Sequence, residues 1–567
     1  MIMDHTDRSP SLALAILCIP LSAAIFAVGA WAQPGSVLSH TKMNYATLAG
    51  VGAAIDDGDE FGDAVASLGD LDGPGPSVTA LAVGAINDDD GGSHLGAVYI
   101  LFLNASGGVL SHQKISATQG NFTGTLDFGD ELGGAITSLG DLDGPGPSVG
   151  ALAVGVINDD DGGPDRGAVY ILFLNSAGSV IAQQKISDLE GGFTATLADN
   201  DEFGGAVAGL GDLDGAGPSA AALAVGAVYD DDGGIDRGAV YILFLNAAGS
   251  VISHQKYSST LAALSGALGN GDNFGEDVCS LGDLDGAGPS VRALAVGTVG
   301  DDDGGSDRGA VYILFIGSTG AVLSRQKISD TAGGFTALLA NDDNFGTSVA
   351  SLGNLDGSGP AVGTLAVGAA GNEGLGVDRG AVYILSLDGA GNVLSYQEIS
   401  SSAGNFAGEL DDTDEFGSGL AALGDLDGGG GGAMTLACGV GVDDDGGLDR
   451  GAVYLLSLAG PATVDVRDAL AGARPDGLGA ARPSVFLRRT TLPFRLSAAG
   501  WVRIEVWDAT GRLARRLLDE ETSAGEHQVV WDGSEDTGRP SPPGAYFVRM
   551  TVNGRTVAGG AKALLLK

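Results

Sequence analysis

The chain contains little cysteine and little positive charge. Its 567 residues include 3 cysteines and 28 lysines and arginines, against 72 aspartates and glutamates, and the formal net charge is -44. Cys279 and Cys438, the two cysteines outside the N-terminal segment, occupy different positions of non-adjacent repeat units, so disulfides are not expected to be the main source of stability. The acidity excludes nucleic acid and anionic membranes as partners, and it favours cations and basic ligands.

The N-terminal segment holds the one long apolar stretch. It runs over residues 12–28 and is followed by Ala30-Trp31-Ala32, a small-x-small pattern. These features predict a secretory signal peptide over residues 1–32. A membrane anchor is the alternative, because the stretch is nearly long enough to span a bilayer. Pro20 and the Ala-x-Ala ending favour cleavage, and nothing later in the chain is a transmembrane candidate.

One segment is repeated six times with a period of 71 residues. Each copy continues with Gly-Asp-Leu-Asp-Gly, Leu-Ala-Val-Gly, an Asp-rich loop and Gly-Ala-Val-Tyr, with small variations. Such a period indicates one supersecondary unit that buries its apolar face against its neighbours. The copies begin at Phe61-Gly62, Leu132-Gly133, Phe203-Gly204, Phe274-Gly275, Phe345-Gly346 and Phe416-Gly417.

Each repeat is predicted to contain four short strands. In the first copy they cover residues 61–68, 80–85, 96–103 and 109–115, which are rich in small, β-branched and aromatic residues. Four strands repeated six times, with no helical periodicity, predict an all-β fold with a six-bladed β-propeller over residues 33–460. An array of β-sandwiches is the alternative, but it would need longer linkers than the uninterrupted period leaves.

The two ends of the repeat region predict a closed ring. Residues 37–43 copy the fourth strand of the unit, whereas the sixth repeat loses the pattern after its third strand, at Pro461. We therefore expect the N-terminal strand to complete the last blade, which removes a free sheet edge. Val464-Asp465-Val466 is the alternative fourth strand.

Two further segments follow the repeats. Residues 461–484 are rich in Ala, Gly, Pro and Arg, and this composition predicts a linker. Residues 485–567 alternate apolar and polar side chains again, for example over 502–507 and 527–531. This pattern predicts a small Ig-like β-sandwich.

The repeats resemble FG-GAP repeats, the propeller repeats of integrin α-subunits and of many bacterial surface proteins. The resemblance covers residues 35 to about 460, and it implies a propeller, calcium in the loop after the first strand, and a role in adhesion or extracellular recognition. In the first copy the matching segments are Phe61-Gly62, Gly69-Asp70-Leu71-Asp72-Gly73, Leu81-Ala82-Val83-Gly84-Ala85 and Gly96-Ala97-Val98-Tyr99.

The calcium loop of the family reads Asp-x-Asp/Asn-x-Asp-Gly-x-x-Asp, and calcium takes about six to eight oxygen ligands. Here the first two acidic positions are kept in five repeats, and Asn354 replaces the first of them in repeat five, while Pro74, Val78 and their counterparts replace the later two. Turn capping by aspartate side chains is the alternative role. The candidate calcium ligands are Asp70, Asp72, Asp141, Asp143, Asp212, Asp214, Asp283, Asp285, Asp356, Asp425 and Asp427.

A second acidic set lies between the second and third strands. With the acidic segments that enter each Phe-Gly pair, it predicts a ring of carboxylates on one face, which attracts divalent cations. A solvated acidic surface is the alternative. Repeat five departs from this pattern with Asn372-Glu373. The candidate metal ligands of this set are Asp88, Asp90, Asp159, Asp161, Asp230, Asp232, Asp301, Asp303, Asp443 and Asp445.

An arginine follows this loop in five repeats. Repeat one has His94-Leu95 instead. A positive charge at a fixed point beside an Asp cluster predicts a structural ion pair within or between blades. The residues are Arg166, Arg237, Arg308, Arg379 and Arg450.

The C-terminal segment resembles FlgD-type Ig-like domains of bacterial secreted proteins and is similar to type IX secretion sorting domains. Its distinctive segments are Trp531-Asp532-Gly533, Gly538-Arg539-Pro540 and residues 543–549, although the Pro-Asn-Pro start common in sorting domains is absent. The resemblance implies a bacterial, exported protein with surface attachment through this domain.

No catalytic signature stands out. His40, His112 and His254 share one position of the repeat, and no Ser-His-Asp, His-Glu-x-x-His or phosphate-loop spacing occurs. The main break in repeat symmetry is Gly371-Asn372-Glu373-Gly374, which offers a single carboxylate.

The sequence therefore predicts a secreted or cell-surface protein that is not an enzyme. It would bind an extracellular protein or glycan through an acidic, divalent-cation-dependent propeller face. A purely structural cell-envelope component is the first alternative, and an extracellular glycan-acting enzyme is the second.

Overall fold

The computed structural model describes two stretches of the chain, and the predicted signal peptide and the alternative strand at 464–466 fall outside both. The chain divides into two compact units, residues up to 462 and residues from 463 onward. The described residues are 33–460, with gaps at 74–76, 145, 147, 216, 218, 287–289, 356, 358–361 and 427–433, and then 477–478, 485–486, 489–496 and 499–566, with gaps at 524, 538, 554 and 557–560.

Strand β1 (Val37–Met43) and a short helix, α1 (Tyr45–Ala49), precede the repeats. The first repeat then folds into four antiparallel strands that are hydrogen-bonded in chain order. Its two middle strands are buried along their whole length, because their small and aliphatic side chains pack against a neighbouring sheet on each face. These strands are β2 (Phe61–Gly69), β3 (Thr79–Ala85), β4 (Ala97–Leu103) and β5 (Val109–Ile115).

The next four repeats form the same sheet, so the predicted four-stranded blade is confirmed. The sixth repeat supplies three strands of its own. The strands of repeats two to six are β6 (Leu132–Gly140), β7 (Gly150–Val156), β8 (Ala168–Leu174), β9 (Val180–Ile186), β10 (Phe203–Gly211), β11 (Ala221–Ala227), β12 (Ala239–Leu245), β13 (Val251–Tyr257), β14 (Phe274–Gly282), β15 (Arg292–Thr298), β16 (Ala310–Ile316), β17 (Val322–Ser329), β18 (Phe345–Ser351), β19 (Gly363–Ala369), β20 (Ala381–Leu387), β21 (Val393–Ser400), β22 (Leu420–Gly424), β23 (Met434–Val440) and β24 (Ala452–Leu458).

The N-terminal strand closes the ring. Strand β1 pairs antiparallel with β24, with His40 opposite Leu456, and the order of this sheet is β1-β24-β23-β22. The inner strand β2 contacts both β6 and β22, so the first and last blades are neighbours. The predicted completion of the last blade by the N-terminal strand is confirmed, and the architecture is a six-bladed β-propeller.

Paired glycines set the spacing between blades. A Cβ on Gly84 in the Leu-Ala-Val-Gly strand would overlap the carbonyl oxygen of Gly133, which belongs to the Phe-Gly position of the next blade. The same overlap recurs around the ring, so only glycine fits at these points. The pairs are Gly84 with Gly133, Gly155 with Gly204, Gly226 with Gly275, Gly297 with Gly346, Gly368 with Gly417 and Gly439 with Gly62.

Aromatic side chains fill the space beside these glycines. The ring of Phe203 lies 4.9 Å from Phe193 and 5.5 Å from Tyr241, and all three are buried. Cys438 is buried in the last blade, and both cysteines in the described part of the chain are free thiols. Aromatic and aliphatic packing between blades therefore accounts for the core.

The C-terminal unit is a small Ig-like β-sandwich, as the sequence predicts. Three strands form one sheet and six the other, and Trp531, Tyr546 and Phe486 meet in the core. The strand at 477–478 lies inside the segment predicted as a linker. The strands are β25 (Gly477–Leu478), β26 (Val485–Phe486), β27 (Thr490–Leu496), β28 (Gly500–Asp508), β29 (Leu513–Thr522), β30 (Gly525–Trp531), β31 (Gly544–Val552), β32 (Arg555–Thr556) and β33 (Ala561–Leu565).

No helix in the described residues has the length and apolar character needed to cross a membrane.

The glycine pairs predict an unusual sensitivity to alanine. Gly155→Ala should lower the free energy of unfolding by about 3 kcal/mol, because its methyl group would force two backbones apart. Gly129→Ala is the matched control, since Gly129 has a φ of 83° but nothing within 4 Å of an added Cβ, and it should cost about 1 kcal/mol. Denaturant unfolding of the two variants would decide the matter, and equal losses would contradict the spacing role.

Candidate functional site

The Asp-rich loops and the crossings that lead into each Phe-Gly pair lie together on one face of the propeller. Gly96, which follows the first loop, bridges to Leu132 at the start of the next blade. Arg166, which follows the second loop, contacts Asp199 in the next crossing. The Asp-rich loops between the second and third strands and the crossings thus share a surface, which we call the acidic face.

In five blades the first and third aspartates of the loop hold a lysine ammonium. In the first blade, Lys114 Nζ lies 2.6 Å from Asp88 Oδ2 and 2.8 Å from Asp90 Oδ2. The lysine comes from the fourth strand, which in the last blade is the N-terminal strand β1. The other groups are Lys185 with Asp159 and Asp161, Lys256 with Asp230 and Asp232, Lys327 with Asp301 and Asp303, and Lys42 with Asp443 and Asp445.

The ion pair is buried, so each charge depends on its partner to compensate for the loss of water. Asp159 is 3% exposed, and Lys185 is buried against the Tyr170 ring at 5.8 Å from its centroid. Burial alone would lower the pKa of Lys185, but hydrogen bonds to Asp159 and Asp161 outweigh it and raise that pKa. The ammonium is therefore fixed in its charged form as part of the blade.

In the five Asp-Asp-Asp loops, the middle aspartate shapes the turn. Asp89 Oδ1 accepts a hydrogen bond from the His94 backbone N–H at 2.8 Å, and Asp160 accepts one from Asp165 at 3.0 Å. Within the described ranges, no three His, Cys, Asp or Glu side chains are arranged to hold a metal ion. Divalent cations at the loop aspartates stay a prediction, and such a cation would have to displace a lysine.

The aspartates of the predicted calcium loop are engaged in turns. Asp214 Oδ1 accepts from Ser219 Oγ at 2.6 Å, and Asp285 accepts from Ser290 at 2.7 Å. Ser77 and Ser148 bond Asp72 and Asp143 in the same way. Asp212 accepts from the Gly215 N–H at 2.7 Å, whereas Asp70, Asp141 and Asp283 are exposed. Asp356 and Asp427 fall outside the described residues, whereas Asp425 lies within them. Calcium here also stays a prediction.

Four of the five arginines form the predicted structural ion pairs. Arg166 contacts Asp188 at 2.7 Å and Asp199 at 2.9 Å. Arg450 contacts Asp57 at 2.6 Å and so joins the two ends of the ring. In blade one, Leu95 replaces the arginine, and the exposed Phe128 replaces its aspartate partner. The remaining pairs are Arg308 with Asp330, Arg379 with Asp412, and Arg237 with the amide oxygen of Asn270.

A central channel of about 570 Å³ runs between the inner strands. Four carboxyl groups from three blades line it: Asp63 on β2, Glu276 and Asp277 on β14, and Glu415 just before the Phe-Gly pair of blade six. Asp277 accepts hydrogen bonds from the Val278 and Val349 backbone N–H groups at 2.7 and 2.6 Å. Asp63, Glu276 and Asp277 lie in the two positions that follow a Phe-Gly pair. The remaining residues at these two positions are glycine, alanine, serine or threonine, so the channel is not symmetric.

A ring of polar residues surrounds one end of the channel. The residue before each Phe-Gly position has a left-handed φ between 51° and 57°, which is unfavourable for glutamate and easier for asparagine. Glu415 also lines the channel. The six residues are Glu60, Glu131, Glu202, Asn273, Asn344 and Glu415.

The carboxyl groups of this region raise one another's pKa. Burial, followed by the charges of Glu60, Glu415 and Glu131, raises the pKa of Asp63 to about 7. Burial, followed by Asp277, Glu202 and Asp63, raises the pKa of Glu276 to about 7. In the part of the chain that the structure describes, no lysine or arginine pairs with any of them. We call the seven groups Asp63, Glu276, Asp277, Glu60, Glu131, Glu202 and Glu415 the axial carboxyls.

Sequence reasoning placed the break in symmetry at repeat five and missed the axial one. The signal was present, because the two residues after each Phe-Gly position are small in most repeats, but are Glu276-Asp277 in the fourth. Periodicity could not show that this position faces a shared channel. The aspartates between the second and third strands, which the sequence favoured, are paired with lysines in five blades, whereas none of the axial carboxyls has an ion pair among the described residues.

Comparisons with known proteins identify one domain. The FlgD Ig-like domain family matches residues 490–555. The C-terminal unit therefore contains a FlgD Ig-like domain, as its resemblance implied. A comparison with curated proteins gives no match.

Three solved structures are distant likenesses. FlgD from P. aeruginosa is 24% identical, with 13% of this chain and 60% of that chain covered and a TM-score of 0.12. PorZ, a surface component of the type IX secretion system of Porphyromonas gingivalis, is 13% identical, with 93% and 54% covered and a TM-score of 0.30. A fungal alcohol oxidase of the AA5 family is 10% identical, with 94% and 100% covered and a TM-score of 0.33. The chain thus covers less than two thirds of the FlgD and PorZ chains.

Removing one loop lysine should destabilise the propeller. Lys185→Met leaves the buried Asp159 carboxylate without its counter-ion, so the free energy of unfolding should fall by about 3 kcal/mol in denaturant melts. A triple variant, Asp159→Asn, Asp161→Gly and Lys185→Glu, copies the residues of blade five and should recover most of the loss. If Lys185→Met melted like the unmodified protein, the structural role of the pair would be wrong.

The axial carboxyls predict that stability falls as pH rises. Their pKa values are higher in the folded state, so their stabilising protonation is complete below about pH 4 and is lost as the pH passes about 7. The buried aspartates of the crossings act in the same direction, since the pKa of Asp130 is also raised to about 7, chiefly by burial. The melting temperature should be about 5 °C lower at about pH 8 than at about pH 5 in low salt.

Calorimetry of the unmodified protein and of the Glu276→Gln/Asp63→Asn variant would test this. The variant should show a smaller pH dependence, because two of the shifted groups no longer titrate. A melting temperature that rises between the two pH values would contradict the assignment.

Proposed function

We propose that this protein is an exported, non-enzymatic recognition protein of the FG-GAP type, which binds a positively charged ligand at the axis of its acidic face. The observation that carries the proposal is a contrast in charge pairing between two parts of the acidic face. These are the rim, where the Asp-rich loops and the crossings lie, and the axis, where the channel opens. At the rim, each Asp pair has a lysine in five blades, and arginines pair with the crossings. At the axis, seven carboxyls lie together without such partners.

The channel suits a narrow ligand. Its volume of about 570 Å³ accepts an extended basic peptide segment or a chain of amines, and not a folded domain. Carboxyls that raise one another's pKa gain most when a cation arrives, because it relieves their mutual repulsion. Divalent cations at the aspartates between the second and third strands belong to the proposal as a second contribution to ligand binding. Calcium in the loop after the first strand, which the FG-GAP resemblance implies, would lie at the other end of the blades.

Export and attachment rest on the two ends of the chain. The apolar segment and Ala-x-Ala pattern before residue 33 support secretion. The FlgD Ig-like domain at residues 490–555 supports a bacterial cell-surface setting, with attachment through the C-terminal domain. The propeller would then present its acidic face to an extracellular protein or glycan that carries basic groups.

Glycan hydrolysis is the second candidate function, and one observation favours it. Paired carboxyls with raised pKa values, such as Glu276 and Asp63, are typical of general acids. Loss of turnover on an oligosaccharide in Glu276→Gln would select this function. Unchanged binding of a basic ligand in the same variant would argue against recognition at the axis.

A hexalysine peptide is the probe for the recognition function. Calorimetric titration into residues 33–567 at low salt should show saturable binding that weakens with added salt. The Asp63→Asn/Glu276→Gln variant should bind at least about tenfold more weakly, because two axial charges are gone. Parallel titrations with millimolar calcium and with chelator would measure the contribution of calcium.

Asp127→Asn is the matched control for this titration. Asp127 is an exposed aspartate of a crossing on the same acidic face, and its loss should leave the affinity within about twofold. If the axial variant and the control bound hexalysine equally, the acidity of the surface as a whole would explain the binding, and the axial proposal would be wrong.

A further inference from the structure

Blade five differs from the other five blades at the position of the loop lysine. Glu398 lies opposite Tyr383 in the same strand register that places Lys114 opposite Tyr99 in blade one. The two aspartates that hold the ammonium elsewhere are replaced by Asn372 and Gly374. The three substitutions together exchange an ammonium held by carboxylates for a carboxylate without an ammonium.

Blade five has one buried hydrogen-bond acceptor without a partner among the described residues. Asp343 is 1% exposed, and its Oδ1 atom has no hydrogen-bond partner among the described residues. Its other oxygen accepts from the Ala340 N–H at 2.8 Å and from Asn372 Nδ2 at 3.3 Å. The arginine whose charge acts on Asp343 is Arg308, which is held by Asp330 at 2.6 Å.

Glu398 and Asp343 act on the same tyrosine. Burial is the main cause that raises the pKa of Tyr383, and the charges of Glu398 and Asp343 follow it. Glu398 Oε1 accepts one hydrogen bond, from Ser400 Oγ at 2.9 Å. Two carboxylates therefore approach one aromatic side chain, and no described lysine or arginine pairs with Glu398.

The loop is also more open here. Gly374 has no side chain at the position where Asp90 covers the ammonium of blade one, and Gly374 is exposed to solvent. Asn372 keeps the turn closed through its oxygen, which accepts from the Gly374 N–H at 3.1 Å. The blade thus keeps the tyrosine and the turn of its sisters and lacks the internal cation.

We infer that blade five binds a primary ammonium group from outside the chain, the end of a lysine side chain of the ligand. Five sister blades show that this place, beside the tyrosine ring, accepts an ammonium held by carboxylates. In blade five the acceptors are Glu398 and the free oxygen of Asp343. The inference rests on the proposed function for the ligand being basic, while the pocket is tested without that ligand.

We call the place beside Tyr383, with Glu398 and Asp343 as acceptors, the blade-five pocket. It gives the nearly symmetric acidic face one distinct position. A basic segment that enters the channel meets similar loops in every direction, but five of them already hold a lysine. One open blade fixes a single orientation for a ligand whose lysine reaches it. The neighbouring blade four carries the axial pair Glu276-Asp277, so these two departures from symmetry lie on adjacent blades.

The pocket is tested with n-butylammonium, which copies the end of a lysine side chain. Melting curves of residues 33–567 would be recorded in n-butylammonium chloride, in tetramethylammonium chloride and in sodium chloride at equal ionic strength. The n-butylammonium salt should raise the melting temperature by about 2 °C more than the other two, because it binds the folded state. Glu398→Gln should remove this difference, and Asp127→Asn should keep it.

Two further variants keep the test decisive. Asn372→Asp/Gly374→Asp/Glu398→Lys gives blade five its own ammonium, so it should fold and show no response to n-butylammonium. Lys256→Ala empties the corresponding place in blade three, and n-butylammonium should recover part of the lost melting temperature. An n-butylammonium response that persists in Glu398→Gln, or a Glu398-dependent response to calcium and not to n-butylammonium, overturns the inference.

Failure of the two proposals can be told apart. If n-butylammonium acts through Glu398 but hexalysine does not bind, the pocket stands and recognition of a basic ligand at the axis is wrong. If hexalysine binds through Asp63 and Glu276 but n-butylammonium has no specific effect, the axial function stands and the blade-five pocket is wrong.

Discussion

The close approach of paired glycines between blades is the constraint on which the rest of the structure depends. Gly84 and Gly133, and their five counterparts, let the backbone of each Phe-Gly position lie directly against the Leu-Ala-Val-Gly strand of the previous blade. Because this contact involves main chain only, it fixes the same spacing at every junction, whatever the neighbouring side chains are. The inner strands are thereby held around one channel, and the residue before each Phe-Gly position is held in a left-handed conformation.

Charge is distributed differently at the rim and at the axis of this ring. At the rim, each buried aspartate is close to a lysine or accepts backbone hydrogen bonds, and the coupled replacements support a structural role. Where the arginine is lost, its partner becomes Phe128, and where the loop aspartates are lost, the lysine becomes Glu398. Removing one member of a buried pair is costly, whereas changing both together is tolerated. Blade five is therefore a natural test of the buried lysine pair, whereas the arginine pair that blade one lacks is a more exposed one.

The fold was predictable from the sequence to a large extent, and the site was not. The 71-residue period, the short strands and the stray fourth strand at 37–43 were sufficient to predict the blades and their closure, because each depends on local pattern. The aspartate loops were recognised, but their partner Lys114 is 24 residues from Asp90 along the chain, and nothing local connects them. The axial carboxyls come from blades far apart in the sequence, so their proximity follows only from ring closure.

The axial carboxyls destabilise the folded state, and the sequence reduces this destabilisation without removing it. Glutamate in a left-handed conformation costs about 1 kcal/mol or more at each position, and mutual repulsion adds to this. In blades four and five the same position holds Asn273 and Asn344, which adopt this conformation more easily and carry no charge. Blade four is also where Glu276 and Asp277 enter the channel. In blade four, charge is thus withdrawn from the end of the channel where it is added inside, whereas blade one carries both Glu60 and Asp63. A surface that needed acidity only for solubility would have no reason to place carboxyls in a channel, where burial and repulsion both disfavour their charged form.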